Sequence, residues 1–198
     1  MRGLGDDPET GWEDAVAVSA LAAFEGNPIL LTTETVQPGD TRDALEGFDR
    51  AVIVGGTAVV DESVEADIDE VVDEVSRLAG ANRYETSIEV VDAAAAAAPE
   101  HFPGDNWFPG DTWMATGLDF ADAIAAAPVV GNTTEHAEPD PGLLVLVDGE
   151  DLDRSQASID FLQANAEEID RVRAVGGTAV ITDDSLDRAR TYIEKDQR

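Results

Sequence analysis

At 198 residues, 43% of them hydrophobic, the chain has room for one large α/β domain or two small ones and the means to build a core, which excludes wholesale disorder. Its 43 Asp plus Glu against 12 Lys plus Arg give a formal charge of -31, which excludes a nucleic-acid partner and an anionic membrane surface, since both need basic patches. Cysteine is absent, so disulfides, thiolate catalysis and cysteine–zinc sites are excluded as well. Lys195 is the single lysine, and a folded chain so acidic and lysine-poor fits concentrated salt. At about 1 M salt the Debye length falls to roughly 3 Å, which screens carboxylate repulsion. The opening Met1–Asp7 has no apolar stretch like that of a signal peptide. The longest apolar run, Ala15–Phe24, is far short of a membrane span, so no direct membrane insertion is expected.

From the amino terminus, the alanine-rich stretch Trp12–Phe24 predicts a helix and Ile29–Thr32 a strand. A helix over Thr41–Phe48, a strand over Ala51–Val54 and a helix over Ser63–Val72 follow. Val75–Leu78 reads as a strand, Tyr84–Ala98 as a helix and Thr112–Thr116 as a strand. The remaining elements are helix Phe120–Val130, strand Leu143–Val147, helix Ser155–Asn165, strand Val172–Val175 and helix Ser185–Glu194. Short apolar strands alternating with helices predict an α/β fold of tandem Rossmann-like or flavodoxin-like repeats, with parallel sheets flanked by helices.

The chain repeats itself. Val54-Gly55-Gly56-Thr57-Ala58-Val59 returns as Val175-Gly176-Gly177-Thr178-Ala179-Val180. Phe48-Asp49-Arg50 returns as Ile169-Asp170-Arg171, and Asp14-Ala15-Val16-Ala17 as Asp122-Ala123-Ile124-Ala125. Ile29–Thr32 matches Leu143–Val147. The spacing grows from 108 positions at the aspartates to 121 at the glycines, with Gly131–Gly142 as the obvious insertion. The expected division is a first repeat over 1–74, incomplete at its amino end, and a second over 75–198.

Each Gly-Gly-Thr (Gly55, Gly56, Thr57 and Gly176, Gly177, Thr178) follows a buried strand and precedes a helix, which in a parallel sheet is the carboxyl edge where ligands bind. A tight strand-to-helix turn accounts for the same residues. In Gly80-Ala81-Asn82-Arg83-Tyr84-Glu85-Thr86, Asn82 and Glu85 have the spacing of a helix cap, and Arg83 is expected to pair with a local carboxylate. Asp14 and Asp122 read as helix-start carboxylates. His101 and His136, both expected in loops, have no metal-binding spacing, and no nucleophile elbow or phosphate loop is present. Neither metal nor cofactor is therefore expected. Trp107, Phe108 and Trp113 read as a satellite core under a loop, and Asn132-Thr133-Thr134 is a glycosylation sequon that merely permits a surface position.

In their order these motifs resemble the cell wall-binding repeat 2 family: Gly80–Thr86, Ala115-Thr116-Gly117-Leu118-Asp119-Phe120-Ala121-Asp122-Ala123, Pro28-Ile29-Leu30-Leu31-Thr32 and the twice-occurring Val-Gly-Gly-Thr. The resemblance implies a non-catalytic surface module that attaches its carrier to a cell-envelope polymer or glycan, with repeats packed commonly in threes and ligand near their junctions. Carried over residue by residue, it implicates Ile29, Leu30, Leu31 and Arg83 as ligand-binding positions. Leu143-Leu144-Val145 departs from the Ile-Leu-Leu pattern, and the first repeat lacks an Arg-Tyr-Glu-Thr stretch. Two repeats in place of three leave a gap that a homo-oligomer, or sequence missing from this chain, would fill. The acidity implies a halophilic, archaeal host and a surface glycan or another envelope protein as partner. Two further readings stay open: a Rossmann-like enzyme acting on a nucleotide or sugar at the Gly-Gly-Thr ends, and a structural oligomerisation scaffold. If charge repulsion opposes folding, the melting temperature rises substantially as KCl goes from near zero to molar, measured by thermal circular dichroism.

Overall fold

The computed structural model describes residues 12–101, 110–119, 121–131, 134–135, 138–139 and 142–194. In chain order these form α1 (Glu13–Glu25), α2 (Gly39–Leu45), β1 (Arg50–Val54), α3 (Glu62–Asp69), β2 (Glu74–Leu78), α4 (Arg83–His101), β3 (Asp111–Thr116) and α5 (Ala121–Val130). There follow the two-residue strands β4 (Thr134–Glu135) and β5 (Glu138–Pro139), then β6 (Leu143–Val147), α6 (Gln156–Ala164), β7 (Arg171–Ala174) and α7 (Asp183–Ile193). The expected α/β class, parallel sheets flanked by helices, is what the chain adopts. His101, expected in a loop, closes α4. Met1–Asp7, Trp107, Phe108, Phe120, His136, Lys195 and the sequon residues Asn132 and Thr133 lie outside the described residues.

The second copy of the duplicated segment builds a three-stranded parallel sheet in the order β6-β3-β7. Its register runs from Thr112↔Leu143 to Thr116↔Val147 on one side of β3 and from Asp111↔Arg171 to Met114↔Ala174 on the other. All five residues of β6 are buried, because helices cover both faces of this sheet and an uninterrupted Leu-Leu-Val-Leu-Val run suits that position. On one face Met114, Val145 and Val147 pack with Ile159, Leu162, Ile181 and Ala189. On the other, Ala115, Leu144 and Leu146 meet Val16, Ala17, Ala20, Ala123 and Val130. The helix α1 from the first copy thus covers the sheet of the second, lying against α5, its own counterpart in the duplication. Gly131 permits that approach, since a Cβ there would stand 2.6 Å from the Ala20 carbonyl oxygen.

The outer edge of β6 is closed by side chains instead of a fourth strand. The Leu146 N–H donates to Ser87 Oγ from α4 at 2.9 Å, and Ser158 Oγ from α6 donates to the Leu146 carbonyl at 2.6 Å. Both serines are fully buried, so each backbone group is satisfied in an apolar setting where an orphan would be costly.

In the first copy, β1 pairs in parallel with β2, from Arg50↔Glu74 to Val54↔Leu78, over a core of Leu45, Ile53, Val60, Val64, Ile68 and Val72. The strand expected over Ile29–Thr32 is reduced to a single bridge residue, Thr32, and Ile29, Leu30 and Leu31 run outside any sheet. Their counterpart β6 is held by β3, and among the described residues the first copy has no equivalent of β3 to pair with them. The segment still keeps the station of β6. Asp61 N–H bonds the Glu34 carbonyl at 2.8 Å, just as Thr182 N–H bonds that of Gly149 at 2.9 Å.

Ser87→Ala removes the acceptor for the buried Leu146 N–H, with an expected loss of about 1–3 kcal/mol of stability in chemical denaturation. An unchanged midpoint would show that this edge is not sealed as described.

Candidate functional site

The starts of α1 and α4 meet over the carboxyl ends of β1, β2 and β3, where the two copies join. α4 begins as its sequence predicts: Asn82 Oδ1 accepts from the N–H groups of Tyr84 (3.0 Å) and Glu85 (3.1 Å), and Glu85 reaches back to accept from Ala81 N–H at 2.8 Å. This cap points Arg83 across to α1. Its guanidinium pairs with Glu13 at 2.8 Å, donates to the Gly117 carbonyl and lies 5.9 Å from the centroid of the Trp12 ring. Arg83 therefore does pair with a local carboxylate, while its side chain keeps 34% exposure. Gly117 gives both side chains room, since a Cβ would stand 2.8 Å from the Tyr84 ring and 3.0 Å from the stem of Arg83.

Next to this pair Asp14 is buried to 7% exposure. Its carboxylate faces Gly55, where a Cβ would come within 2.6 Å of Oδ2, and Gly55 holds φ +114°, a left-handed value that favours glycine. Asp14 also hydrogen-bonds the Thr86 side chain, whose Oγ1 accepts from Gly80 N–H at 3.1 Å. One carboxylate therefore joins the turn after β1, the turn after β2 and the start of α4. Burial pushes the Asp14 carboxyl above its ordinary range, the Thr86 hydrogen bond works against that shift, and the neighbouring Glu13 adds to it.

The second copy repeats half of the arrangement. Asp122 faces Gly176, which has φ +98° and no room for a Cβ, but this carboxylate is only partly buried. The Asp-Ala and Gly-Gly-Thr motifs are thus two sides of one contact, formed twice. Sequence reasoning treated them separately and missed Asp14, Thr86 and Gly80 as partners, although the aspartate recurs together with the glycines.

The predicted site residues are not all brought together. Gly55 and Arg83 both border the junction, with Gly56 and Thr57 next in the turn. Gly176, Gly177 and Thr178 sit exposed at the end of β7, beside Asp122. Leu30 packs into the first copy's core, while Ile29 and Leu31 are 39% and 50% exposed. Near Gly117, burial raises the Tyr84 hydroxyl, and the Asp148 carboxylate adds to the shift. Asp148 itself ends β6, buried, accepting from Glu150 and Asp151 N–H groups at 3.1 and 3.0 Å with Arg154 3.6 Å away. Trp113 lies on β3, within the strand expected over Thr112–Thr116, with Arg173 5.2 Å from its ring centroid; Trp107 and Phe108, expected to share a satellite core with it, lie outside the described residues. Among the described residues no group of His, Asp or Glu is arranged to hold a metal ion, and no helix is long and apolar enough to cross a membrane.

Comparison with known proteins fits this architecture. The chain belongs to the cell wall binding domain 2 family, whose model matches residues 5–65 and 77–186. Membership makes it a binding module of the cell surface, the class and location expected from the motifs. Over 143 residues, 71% of this chain, it is 27% identical to the N-acetylmuramoyl-L-alanine amidase LytC of Bacillus subtilis (strain 168), of which it spans 24%. Among solved structures it is similar to Cwp8 from Clostridium difficile, with a TM-score of 0.68 and 22% identity over 96% of this chain and 28% of that one. Cwp6 from Clostridium difficile gives a TM-score of 0.67 and 16% identity over 92% of this chain and 26% of that one. At these identities the two structures bear out the fold. The chain spans about a quarter of the length of each of these three bacterial proteins.

Because the Asp14 carboxyl holds its proton more tightly folded than unfolded, its contribution to stability is fully present below the ordinary Asp range and is lost as pH rises through the raised value. Asp14→Asn keeps the shape without the charge. Its melting temperature relative to the parent is expected to improve steadily from pH 4 to pH 7 in molar KCl, and a difference independent of pH would show that Asp14 titrates as an ordinary surface carboxylate.

Proposed function

We propose that the module holds its carrier to the cell envelope by binding a wall polymer or glycan at the repeat junction, without chemistry of its own, in a high-salt environment. The observation that carries the reading is the family match on both sides of the junction where α1 and α4 meet. The repeats are taken as 1–74 and 75–198. Arg83 and the Gly55–Thr57 turn are the module's contacts at the junction, the Ile29–Leu31 segment is a second contact, and Gly176–Thr178 is the counterpart of the turn in the second repeat. Two features support the choice. Ile29 and Leu31 expose large apolar side chains two positions apart on one extended segment, available to an apolar face of a ligand. Arg83 presents a partly exposed planar cation beside the Trp12 ring, a surface suited to a sugar ring or its hydroxyl groups.

The charge balance supports a salt-adapted surface and sets the binding conditions. Carboxylates around the junction repel an anionic polymer unless salt screens them or a cation bridges them. The archaeal host rests on composition alone, since the three proteins compared above are bacterial. An envelope protein in place of a glycan, and assembly into a homo-oligomer, remain within the same reading.

Co-sedimentation with isolated cell envelopes in molar KCl tests it. The parent chain is expected to pellet with the envelopes, and Ile29→Ala with Leu31→Ala to reduce the bound fraction about tenfold. Both side chains are exposed, so the melting temperature should stay within about 2 °C of the parent, a shift worth roughly 0.5 kcal/mol. Absence of sedimentation across all salt concentrations would overturn the proposal.

A further inference from the structure

The three-stranded sheet opens at its carboxyl end, between β3 and β6. The chain leaves β3 for α5, whose Ala123 and Val130 cover one face, and leaves β6 for α6, whose Ile159 and Leu162 cover the other. Neighbouring parallel strands whose connections depart to opposite faces part at their ends, and such crevices are where α/β sheets take small ligands. Gly117 N–H donates to the Val147 carbonyl at 2.8 Å, which holds the two strand ends level. Tyr84 reaches over Gly117 from the start of α4, Asp148 follows β6 directly, and the single turn Leu152–Arg154 brings Arg154 to the same place.

Two of these three side chains have hydrogen-bonding atoms to spare. The Asp148 side chain is only 4% exposed, and its Oδ1 accepts from the Glu150 and Asp151 N–H groups, which fixes the carboxylate. Its Oδ2 accepts no hydrogen bond among the described residues, and Arg154 Nη1 stands 3.6 Å away. The Tyr84 hydroxyl makes none either; burial, and after it the nearby Asp148 carboxylate, keep its proton on. A carboxylate oxygen this deeply placed ordinarily has a donor, so its lack of one calls for a partner from outside. Charge then selects the partner. Carboxylate and guanidinium balance each other, which favours neither an anion nor a cation, and Arg154 is also engaged with Asp151 at 3.5 Å. A neutral molecule with adjacent hydroxyls fits: one donates to Oδ2, its neighbour accepts from the Tyr84 hydroxyl, and the phenol ring offers apolar surface to C–H groups.

We infer that Asp148, Tyr84 and Arg154 form a sugar subsite in the crevice between β3 and β6, which takes a pyranose ring through two vicinal hydroxyls. The inference rests on the glycan reading for the source of the sugar, and adds to it a contact inside the second repeat. The first copy has no counterpart. Its Glu34 carbonyl matches that of Gly149, so Thr33 holds the station of Asp148. Thr33 Oγ1 is spent on Val36, donating to its carbonyl at 3.1 Å and accepting from its N–H at 3.0 Å. The chain therefore carries one such subsite.

Amide NMR of the full chain in molar KCl tests it, by titration with the methyl glycosides of mannose, galactose and glucose. At least one glycoside should shift the amides of Gly149, Glu150 and Asp151 saturably, at one site per chain and with a Kd of about 1–10 mM, as suits a single small ring. Its permethylated form, with no hydroxyl to donate, should produce no saturable shift. Asp148→Asn, whose Oδ1 still accepts from Glu150 and Asp151, should weaken binding at least about tenfold. Tyr84→Phe keeps the ring over Gly117 and should weaken it about threefold to tenfold. No saturable shift with any of the three glycosides would overturn the inference. So would equal binding of the permethylated form, or a Tyr84→Phe chain that binds as the parent does. Sedimentation with envelopes without any glycoside shift would sink the subsite alone, whereas glycoside binding without sedimentation would sink the envelope reading and uphold the subsite.

Discussion

One buried carboxylate ties the two copies together. Asp14 lies against Gly55 at the end of β1 and bonds Thr86 at the start of α4, and Thr86 in turn fixes Gly80 after β2. Each partner constrains the others. Gly55 accepts the carboxylate only because it lacks a side chain and tolerates a positive φ, and Thr86 reaches Asp14 only because the Asn82–Glu85 cap sets where α4 begins. With α1 pinned at its start, its apolar face falls across the sheet of the second copy and against α5. The adjacent Glu13–Arg83 pair then draws Gly117, and with it the end of β3, into the same corner.

The second copy shows what that corner is like without a neighbour. Asp122 makes the matching approach to Gly176, but no helix start of the Arg83–Thr86 kind covers it among the described residues. The difference is one of context, since the local sequence is nearly the same in both. Duplicated segments present duplicated surfaces, and a surface filled in one copy and bare in the other indicates what completes it. The same reasoning applies to the strand edges, where serine hydroxyls seal β6 and nothing equivalent among the described residues seals β7.

Arginine use bears on how so acidic a chain meets a ligand. Arg77 serves Glu65, Arg171 and Arg173 share Asp111, and Arg188 pairs with Asp153. The exposed Arg188–Asp153 pair adds little stability and weakens further in salt, whereas Arg77 and Asp111 are largely buried. The main effect of these pairs here is to commit cations to carboxylates of the same chain.

Most of the secondary structure was legible in the residues, because short β-branched or leucine-containing stretches alternate with amphipathic or alanine-rich helices and the repeats mark their equivalences. Ile29–Leu31 has the composition of a strand and is not one, because pairing needs a neighbour that sequence pattern does not report. The site was legible as separate motifs: Arg83 with a carboxylate partner, a helix cap at Asn82, glycines after strands. Their convergence was not, since Asp14 and Thr86 lie 72 positions apart and only the crossing of α1 over the second sheet brings them together. Local propensity and periodicity settled the elements, the duplication and the charge. Which strand β2 pairs with, and which carboxylate is buried, were decided by packing, because contacts between distant segments depend on where whole helices and sheets come to rest.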